Sequence, residues 1–545
     1  IMFTSAGIVH SPLREDIKIP EVTFFNLIAS FCGERLAANP DKDIYVDCMT
    51  GQKRKAGEIF PLINKICCGF TKKGFRKGDV LAIVSENHVD YSLALLASMK
   101  LGCSLICGIP GASKAEMANF ISNSGAKFII CDPGSSRKIR QVTFESREKI
   151  AEIFVFGSIP YEEFTPFDSI LSDDGQFELP SLDIDLKQDV IYMVMSSGTT
   201  GTPKIVQHTN YSLVASWVQI PFSGIAAATN NLSSLVLSRM YHTSGLSYLI
   251  NVLLTCSPLY FFSSPHYNDV DILKVIHNYK PTFISFYPVD TLQLCKSANK
   301  SNYDLTSVQC LVSSASKLEV EVQKQLKEVF PGIKCIFDMY GTTEGILFIS
   351  TAPKFFMKPN SIGVLVKFAE AKVVDTTSGK ILGPHQAGEL RFRTPTMMIG
   401  YKDNPEASKN VYDAEGFYCS GDVGYYDEDG YFYLVDRMKN LIKSVEVISG
   451  SELEEILLSH PDVASVAVIG VPDEKWGEVP RAYIVKHGES TMREEDFVSF
   501  LNDKVSEYKR LRGGVVFLDS LPIGFTGKIL KNKLQGKVVL PVMED

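Results

Sequence analysis

Residues 190–204 read Val-Ile-Tyr-Met-Val-Met-Ser-Ser-Gly-Thr-Thr-Gly-Thr-Pro-Lys, an apolar run that ends in a loop of hydroxyls and glycines. The apolar half predicts a buried strand. In the loop, Gly198 and Gly201 let the backbone bend and turn N–H groups toward an anion. Ser196, Ser197, Thr199 and Thr200 offer hydroxyl donors, and Lys204 adds a compact positive charge, a set suited to phosphate oxygens. The spacing excludes a Walker A loop, because Lys204 stands three residues after Gly201 and is followed by Ile205. No G-x-G-x-x-G opens a helix either, which disfavours a dinucleotide-binding oxidoreductase.

Outward from this loop, short β-like runs alternate with helical patterns. Residues 79–84, 127–131, 282–287 and 333–338 predict strands, and residues 91–101 have helical spacing. Such alternation favours parallel sheets covered by helices, an α/β class. The polar, acidic residues 172–185 predict a surface loop. Residues 246–262 predict a buried helix running into a buried strand; Asn251 and Pro258 interrupt them, and they are too short to span a bilayer comfortably.

Near residue 420 the texture changes. Residues 423–426 and 431–435 predict a hairpin around Asp427-Glu428-Asp429-Gly430, with Asp429 and Gly430 supplying positive φ. Ser451 followed by Glu454 predicts a helix N-cap with a capping box. Strands at 465–471 and 481–485 and a helix at 494–505 complete a small α+β unit. The expected division is a large unit of mostly parallel sheets at 1–435, a hinge at 436–440 and a small mobile α+β unit at 441–545.

With 545 residues, 45% of them hydrophobic and 22% charged, the chain has an ordinary globular composition and room for more than one core. A formal charge of -8 gives no reason to expect nucleic acid as a partner. The twelve cysteines are scattered without C-x-x-C spacing, which predicts reduced thiols rather than a disulfide framework or a zinc site. No basic segment followed by an apolar core stands at the N-terminus, so the glycosylation matches at Asn210 and Asn231 carry no weight. The expected location is intracellular, cytoplasmic or peroxisomal, although residues 541–545 do not end in Ser-Lys-Leu.

Further segments make a family resemblance specific. They are Tyr340-Gly341-Thr342-Thr343-Glu344, Gly388-Glu389-Leu390, Tyr418-Cys419-Ser420-Gly421-Asp422, Asp436-Arg437 and Thr526-Gly527-Lys528. With the Ser/Thr/Gly loop they resemble, in order, the AMP-forming adenylating enzymes: acyl-CoA synthetases, 4-coumarate–CoA ligases, beetle luciferases and peptide-synthetase adenylation domains. The resemblance runs from about residue 22 to 534. It implies ATP and coenzyme A as co-substrates, Mg²⁺, and a small carboxylic acid as the partner molecule. Glu344 is similar to a Mg²⁺ ligand beside the α-phosphate, with Thr343 on phosphate. Asp422 and Arg437 are similar to ribose-binding residues. Lys528 resembles the lysine that reaches the reacting carboxylate from the small domain, Lys443 one used in the second half-reaction, and His242 a histidine on the wall of the acyl pocket.

Two departures stand out. After Lys443 the chain reads S-V-E-V-I-S-G-S and is one residue shorter than the relatives' pattern, with Val447 where Gln or Lys is expected. This puts efficient CoA transfer in doubt more than adenylation. In the expected acyl pocket, Ser314-Ala315-Ser316-Lys317 replaces G-G-A-P, and Leu347 and Phe348 stand where beetle luciferases carry small residues, which removes room for a rigid bicyclic acid. The expectation is acid activation to acyl-AMP followed by transfer to CoA. The rivals are a luciferase-type monooxygenase and an adenylate-only or inactive paralogue.

Overall fold

The computed structural model describes residues 7–13, 18–145, 150–159, 163–196, 204–219, 231–286, 294–295, 297–313, 320–350, 358, 360–444, 447–488, 490–523 and 529–534. The apolar run Val190–Met195 is a strand of an eight-stranded sheet whose order is Gly400–Tyr401, Ile205–Thr209, Val190–Met195, Ser104–Gly108, Val80–Val84, Phe128–Cys131, Glu152–Val155, Thr165–Pro166. From Val190–Met195 onward the pairs are parallel. The central runs VLAIV and FIIC are apolar throughout because helices cover both faces of such a sheet. The helix Tyr91–Lys100 shows the same logic: nine of its ten residues are buried, so it has no polar face.

A nine-stranded sheet carries a second parallel set, Cys335–Tyr340, Cys310–Ser313, Phe283–Phe286, Ser234–Val236, Leu259–Phe261 and Asp43–Asp47. A six-stranded sheet is antiparallel and includes Glu370–Val374, Gly388–Arg393, Tyr418–Tyr426 and Phe432–Arg437. At the C-terminal end, Val463–Asp473 pairs antiparallel with Gly477–Lys486, and Val515–Phe517 joins in parallel. The helices Gly450–Leu458 and Glu494–Asn502 cover this sheet through Leu453, Leu457, Phe497 and Leu501. The fold is thus α/β, a large N-terminal part of helix-covered sheets with a smaller C-terminal α+β part.

Most predicted strands fall within a residue or two of their places, and the stretch 246–262 is the helix Thr243–Thr255 followed by the strand Leu259–Phe261. Three details differ. The strand expected at 333–338 is Cys335–Tyr340, because Ile333 packs as part of the preceding turn. The hairpin joins Tyr426 to Phe432 through a longer loop in which Gly430 takes φ 78° and Asp429 does not turn left-handed. There the Asp427 carboxylate accepts the Asp429 and Tyr431 N–H groups, which shapes the turn instead. The helix N-cap is Ser449, whose Oγ accepts the Glu452 N–H; Ser451 lies inside the helix. Glu454 is therefore no capping-box partner. It pairs with Lys531 at 2.7 Å and accepts the Val468 N–H.

All twelve cysteines are free thiols, and burial pushes those of Cys67, Cys103 and Cys107 up to about 12. No helix among the described residues is long and apolar enough to cross a membrane.

Candidate functional site

The neck of the Ser/Thr/Gly loop is a closed hairpin. The Ser196 N–H donates to the Lys204 carbonyl at 2.8 Å and the Lys204 N–H to Ser196 Oγ at 3.3 Å. Ser197, Gly198, Thr199, Thr200 and Gly201 lie outside the described residues, as do Ser314, Ala315 and Lys528. Lys204 Nζ sits 4.8 Å from the centroid of the Tyr401 ring, within cation–π range. Tyr401 reaches this place because Gly400–Tyr401 pairs antiparallel with Ile205–Thr209, Val206 facing Tyr401.

The Tyr340–Glu344 segment forms a tight turn at the end of Cys335–Tyr340. The Ile346 N–H donates to the Thr342 carbonyl at 2.8 Å and the Phe348 N–H returns to Tyr340 at 3.0 Å. Gly341 is required here: a Cβ on it would fall 1.9 Å from the Ile346 carbonyl oxygen. Thr342 Oγ1 is buried with no hydrogen-bond partner among the described residues. Glu344 is nearly buried, and its carboxylate accepts the Tyr401 hydroxyl at 2.8 Å on one oxygen and the Tyr418 hydroxyl at 3.1 Å on the other. Each oxygen keeps a lone pair, so the group fits one hard cation. Among the described residues no cluster of three His, Cys, Asp or Glu surrounds it, so the other ligands of such a cation would be phosphate oxygens and water.

Asp422 is almost fully buried. It accepts the Tyr340 hydroxyl at 2.5 Å and the Arg437 Nε–H at 2.8 Å, and Arg437 stands directly opposite it in the strand pair. Burial and the Asp422 charge push the Tyr340 phenol well above its usual range, so it remains a donor. One residue before Arg437, the Asp436 carboxylate gathers donors from three elements. Its Oδ1 takes the Arg437 N–H and Asn440 Nδ2, and its Oδ2 takes Ser449 Oγ, Ser451 Oγ and the Ser451 N–H, all within 3.3 Å.

The remaining expected residues are more scattered. His242 is the N-cap residue of Thr243–Thr255, packed against Tyr241 with Nε2 buried and unpartnered among the described residues. Phe348 is fully buried and stacks on Phe392 at 4.4 Å; Leu347 is buried and its carbonyl accepts Gln219 Nε2. A small cavity beside them is lined by Tyr192, Trp217, Thr243, Leu246, Ile250 and Ile346. Lys443 is exposed on the strand Ile442–Lys443, which pairs antiparallel with Val447–Ile448. No contact joins its side chain to Glu344 or Asp422 among the described residues.

Sequence reasoning missed Tyr401 and His208 and gave Tyr418 no role of its own. His208, on Ile205–Thr209, donates from Nε2 to the Thr343 carbonyl at 2.9 Å, since a carbonyl can only accept. It thereby pins the Glu344 turn to the strand leaving the Ser/Thr/Gly loop. Burial pushes both His208 and His242 down to about 4. A histidine depressed from 6.5 to about 4 contributes stability that is complete above pH 6.5 and lost as pH falls toward 4, because the unfolded chain takes the proton first. Each group accounts for about 3 kcal/mol over that window. Thermal unfolding from pH 7.5 to 4.5 is expected to show a steep fall in Tm below pH 6.5, flattened in His208→Gln. A parallel profile for that variant would refute the assignment.

Comparison with known proteins identifies the family and the fold. The AMP-binding enzyme family pattern matches residues 33–402, and the AMP-binding enzyme C-terminal domain matches residues 452–528. Probable 4-coumarate–CoA ligase 2 of Dictyostelium discoideum is 30% identical over 535 residues, 95% of this chain and 96% of that protein. Luciferin 4-monooxygenase of Photuris pensylvanica is 32% identical over 513 residues, 89% and 91% of the two chains. The anthranilate CoA ligase AuaEII with anthranoyl-AMP shares the fold at a TM-score of 0.84 and 23% identity, covering 95% of this chain and 97% of that one. The chain belongs to the AMP-binding enzyme family, the AMP-forming adenylating superfamily that its motifs resemble.

Proposed function

We propose that the protein uses ATP to activate a carboxylic acid, fatty or aromatic, as its acyl-adenylate and then passes the acyl group to coenzyme A. The observation that carries this reading is that one strand, Tyr418–Tyr426, is tied to both ends of the Tyr340–Glu344 turn. Tyr418 donates to Glu344, and Asp422 accepts from Tyr340. A phosphate-side carboxylate and a ribose-side carboxylate are thereby held on one short stretch, with Lys204 against the ring of Tyr401 next to the first.

In this scheme Asp422 accepts the ribose hydroxyls, Arg437 holds Asp422 and faces ribose or phosphate, and the loop from Ser196 to Lys204 with Thr343 binds the phosphates. Glu344 would hold Mg²⁺, which when bound supplies charge neutralisation to the phosphate oxygens. An oxygen of the acid attacks the α-phosphorus, the bond to pyrophosphate breaks, and pyrophosphate leaves. Lys528 is assigned to the charge that develops at the carboxylate and α-phosphate. The CoA sulfur then attacks the acyl carbonyl and AMP leaves, with Lys443 assigned to this half-reaction. His242, which burial keeps neutral near pH 7, is assigned to the wall of the acid pocket. The assignment divides the chain into a nucleotide- and acid-binding part at 1–435 and a small part at 441–545 that turns about 436–440.

The test is acid-dependent ATP–pyrophosphate exchange across medium- and long-chain fatty acids and cinnamates. Exchange with at least one class is expected; none across the panel would overturn the reading. Product analysis on the same mixtures separates the rivals. Acyl-adenylate accumulating without thioester would favour an adenylate-only enzyme, a rival motivated by the sequence after Lys443 being one residue short, and light on mixing with ATP and luciferin would favour a monooxygenase.

A further inference from the structure

Glu344 lies where three sheets meet. The Glu344 turn follows Cys335–Tyr340 of the nine-stranded sheet, Tyr401 comes from the edge of the eight-stranded sheet, and Tyr418 opens a strand of the six-stranded one. Each tyrosine spends its single hydroxyl proton on a different oxygen of the same carboxylate. We propose that Tyr401 and Tyr418 are positioning residues that hold Glu344 for a nucleotide-bound divalent cation, and that Tyr401 also sets the height of Lys204. This rests on the assignment of Glu344 to the cation.

A glutamate side chain has three rotatable bonds, and fixing a long side chain of this kind costs rotamer freedom. Two phenols anchored in separate sheets meet that cost in advance, before any ligand arrives. They also leave one lone pair on each oxygen, the number a hard cation can use from a single carboxylate. Tyr401 does a second thing that mere satisfaction of a buried acid does not require: its ring lies under Lys204 Nζ while its hydroxyl is on Glu344. A cation from the Ser/Thr/Gly loop and the carboxylate are thus kept at a fixed separation by one rigid side chain. The Glu344 backbone is fixed as well, since its carbonyl accepts the Met398 N–H at 2.7 Å, so only the carboxylate depends on the phenols.

The experiment measures ATP binding to the full chain by calorimetry without acid, with Mg²⁺ and with EDTA. Tyr418→Phe and Tyr401→Phe are each expected to weaken binding about tenfold or more with Mg²⁺, the equivalent of one hydrogen bond to a charged group, and less than about twofold without it. Tyr401→Leu, which also removes the ring from Lys204, should weaken metal-free binding too. In a Glu344→Gln background neither phenylalanine change should do more. Equal weakening with and without Mg²⁺, or MgATP binding within twofold of the parent chain, would overturn the proposal. If Glu344→Gln itself keeps the full Mg²⁺ response, the assignment of Glu344 fails instead. Thermal unfolding accompanies each variant, and should Tyr401→Phe not fold, Tyr418→Phe decides alone.

Discussion

Asp422→Asn is expected to cut kcat/KM for ATP in pyrophosphate exchange by two to three powers of ten while leaving a folded protein. The carboxylate is nearly fully buried and carries two hydrogen bonds, one of them an ion pair with Arg437. Replacing it with an amide removes the charge assigned to the ribose hydroxyls and leaves a guanidinium without its partner. Losses of about 1.5–2 kcal/mol per bond, the lower part of the range for a hydrogen bond to a charged group, give about 3–4 kcal/mol over two bonds, which is on the order of 10²- to 10³-fold in rate. Arg437 remains about one-third exposed on its side chain, so water relieves part of the damage and folding survives. Tyr340→Phe removes one donor and keeps the ion pair, so about a tenfold loss is expected from it. An Asp422→Asn enzyme within threefold of the parent would remove Asp422 from the nucleotide site.

Gly341→Ala should do more harm to the molecule as a whole. Its new Cβ would meet the Ile346 carbonyl oxygen at 1.9 Å and the Leu347 Cα at 2.9 Å, both backbone atoms that no side-chain rotation can move. The turn must open, and with it the stretch that orients Glu344 and the Tyr340 hydroxyl. A loss of about 3 kcal/mol or more in unfolding free energy is expected, together with loss of exchange activity. Gly33→Ala is the matching control, because nothing lies within 4 Å of a Cβ there and the position is helical. It should be neutral or add up to about 1 kcal/mol. Equal Tm values for the two variants would show that the turn has slack that the packing denies.

The sequence made the strands and the motif order legible because both are local. A run such as Phe128–Cys131 is apolar at every position, and Gly341 precedes Glu344 by a fixed step along the chain. What escaped depended on distance. Tyr401 is separated from Glu344 by 57 residues and Tyr418 by 74, and only sheet packing brings the hydroxyls to one carboxylate. His208 reads as an ordinary residue of a β-hairpin until the Thr343 carbonyl appears 2.9 Å from its Nε2. Even local chemistry misled where a tertiary partner competed. Ser451 has the right neighbours for a cap, yet its hydroxyl and N–H are taken by Asp436, and Ser449 caps the helix instead. Phe348, at a position expected in the acyl pocket, stacks on Phe392 at 4.4 Å, a contact that no sequence spacing announces.

Asp436 has a consequence for kinetics. Ser449 and Ser451 belong to the segment beyond Met438–Asn440, while Asp436 ends a strand of the six-stranded sheet. Any swing about residues 438–440 that carries the helix away must strip one carboxylate oxygen of three donors almost at once, before new partners can replace them. In the proposed swing these contacts act as a latch, and a swap of Asp436 for a weaker acceptor is expected to speed its release while loosening its closure.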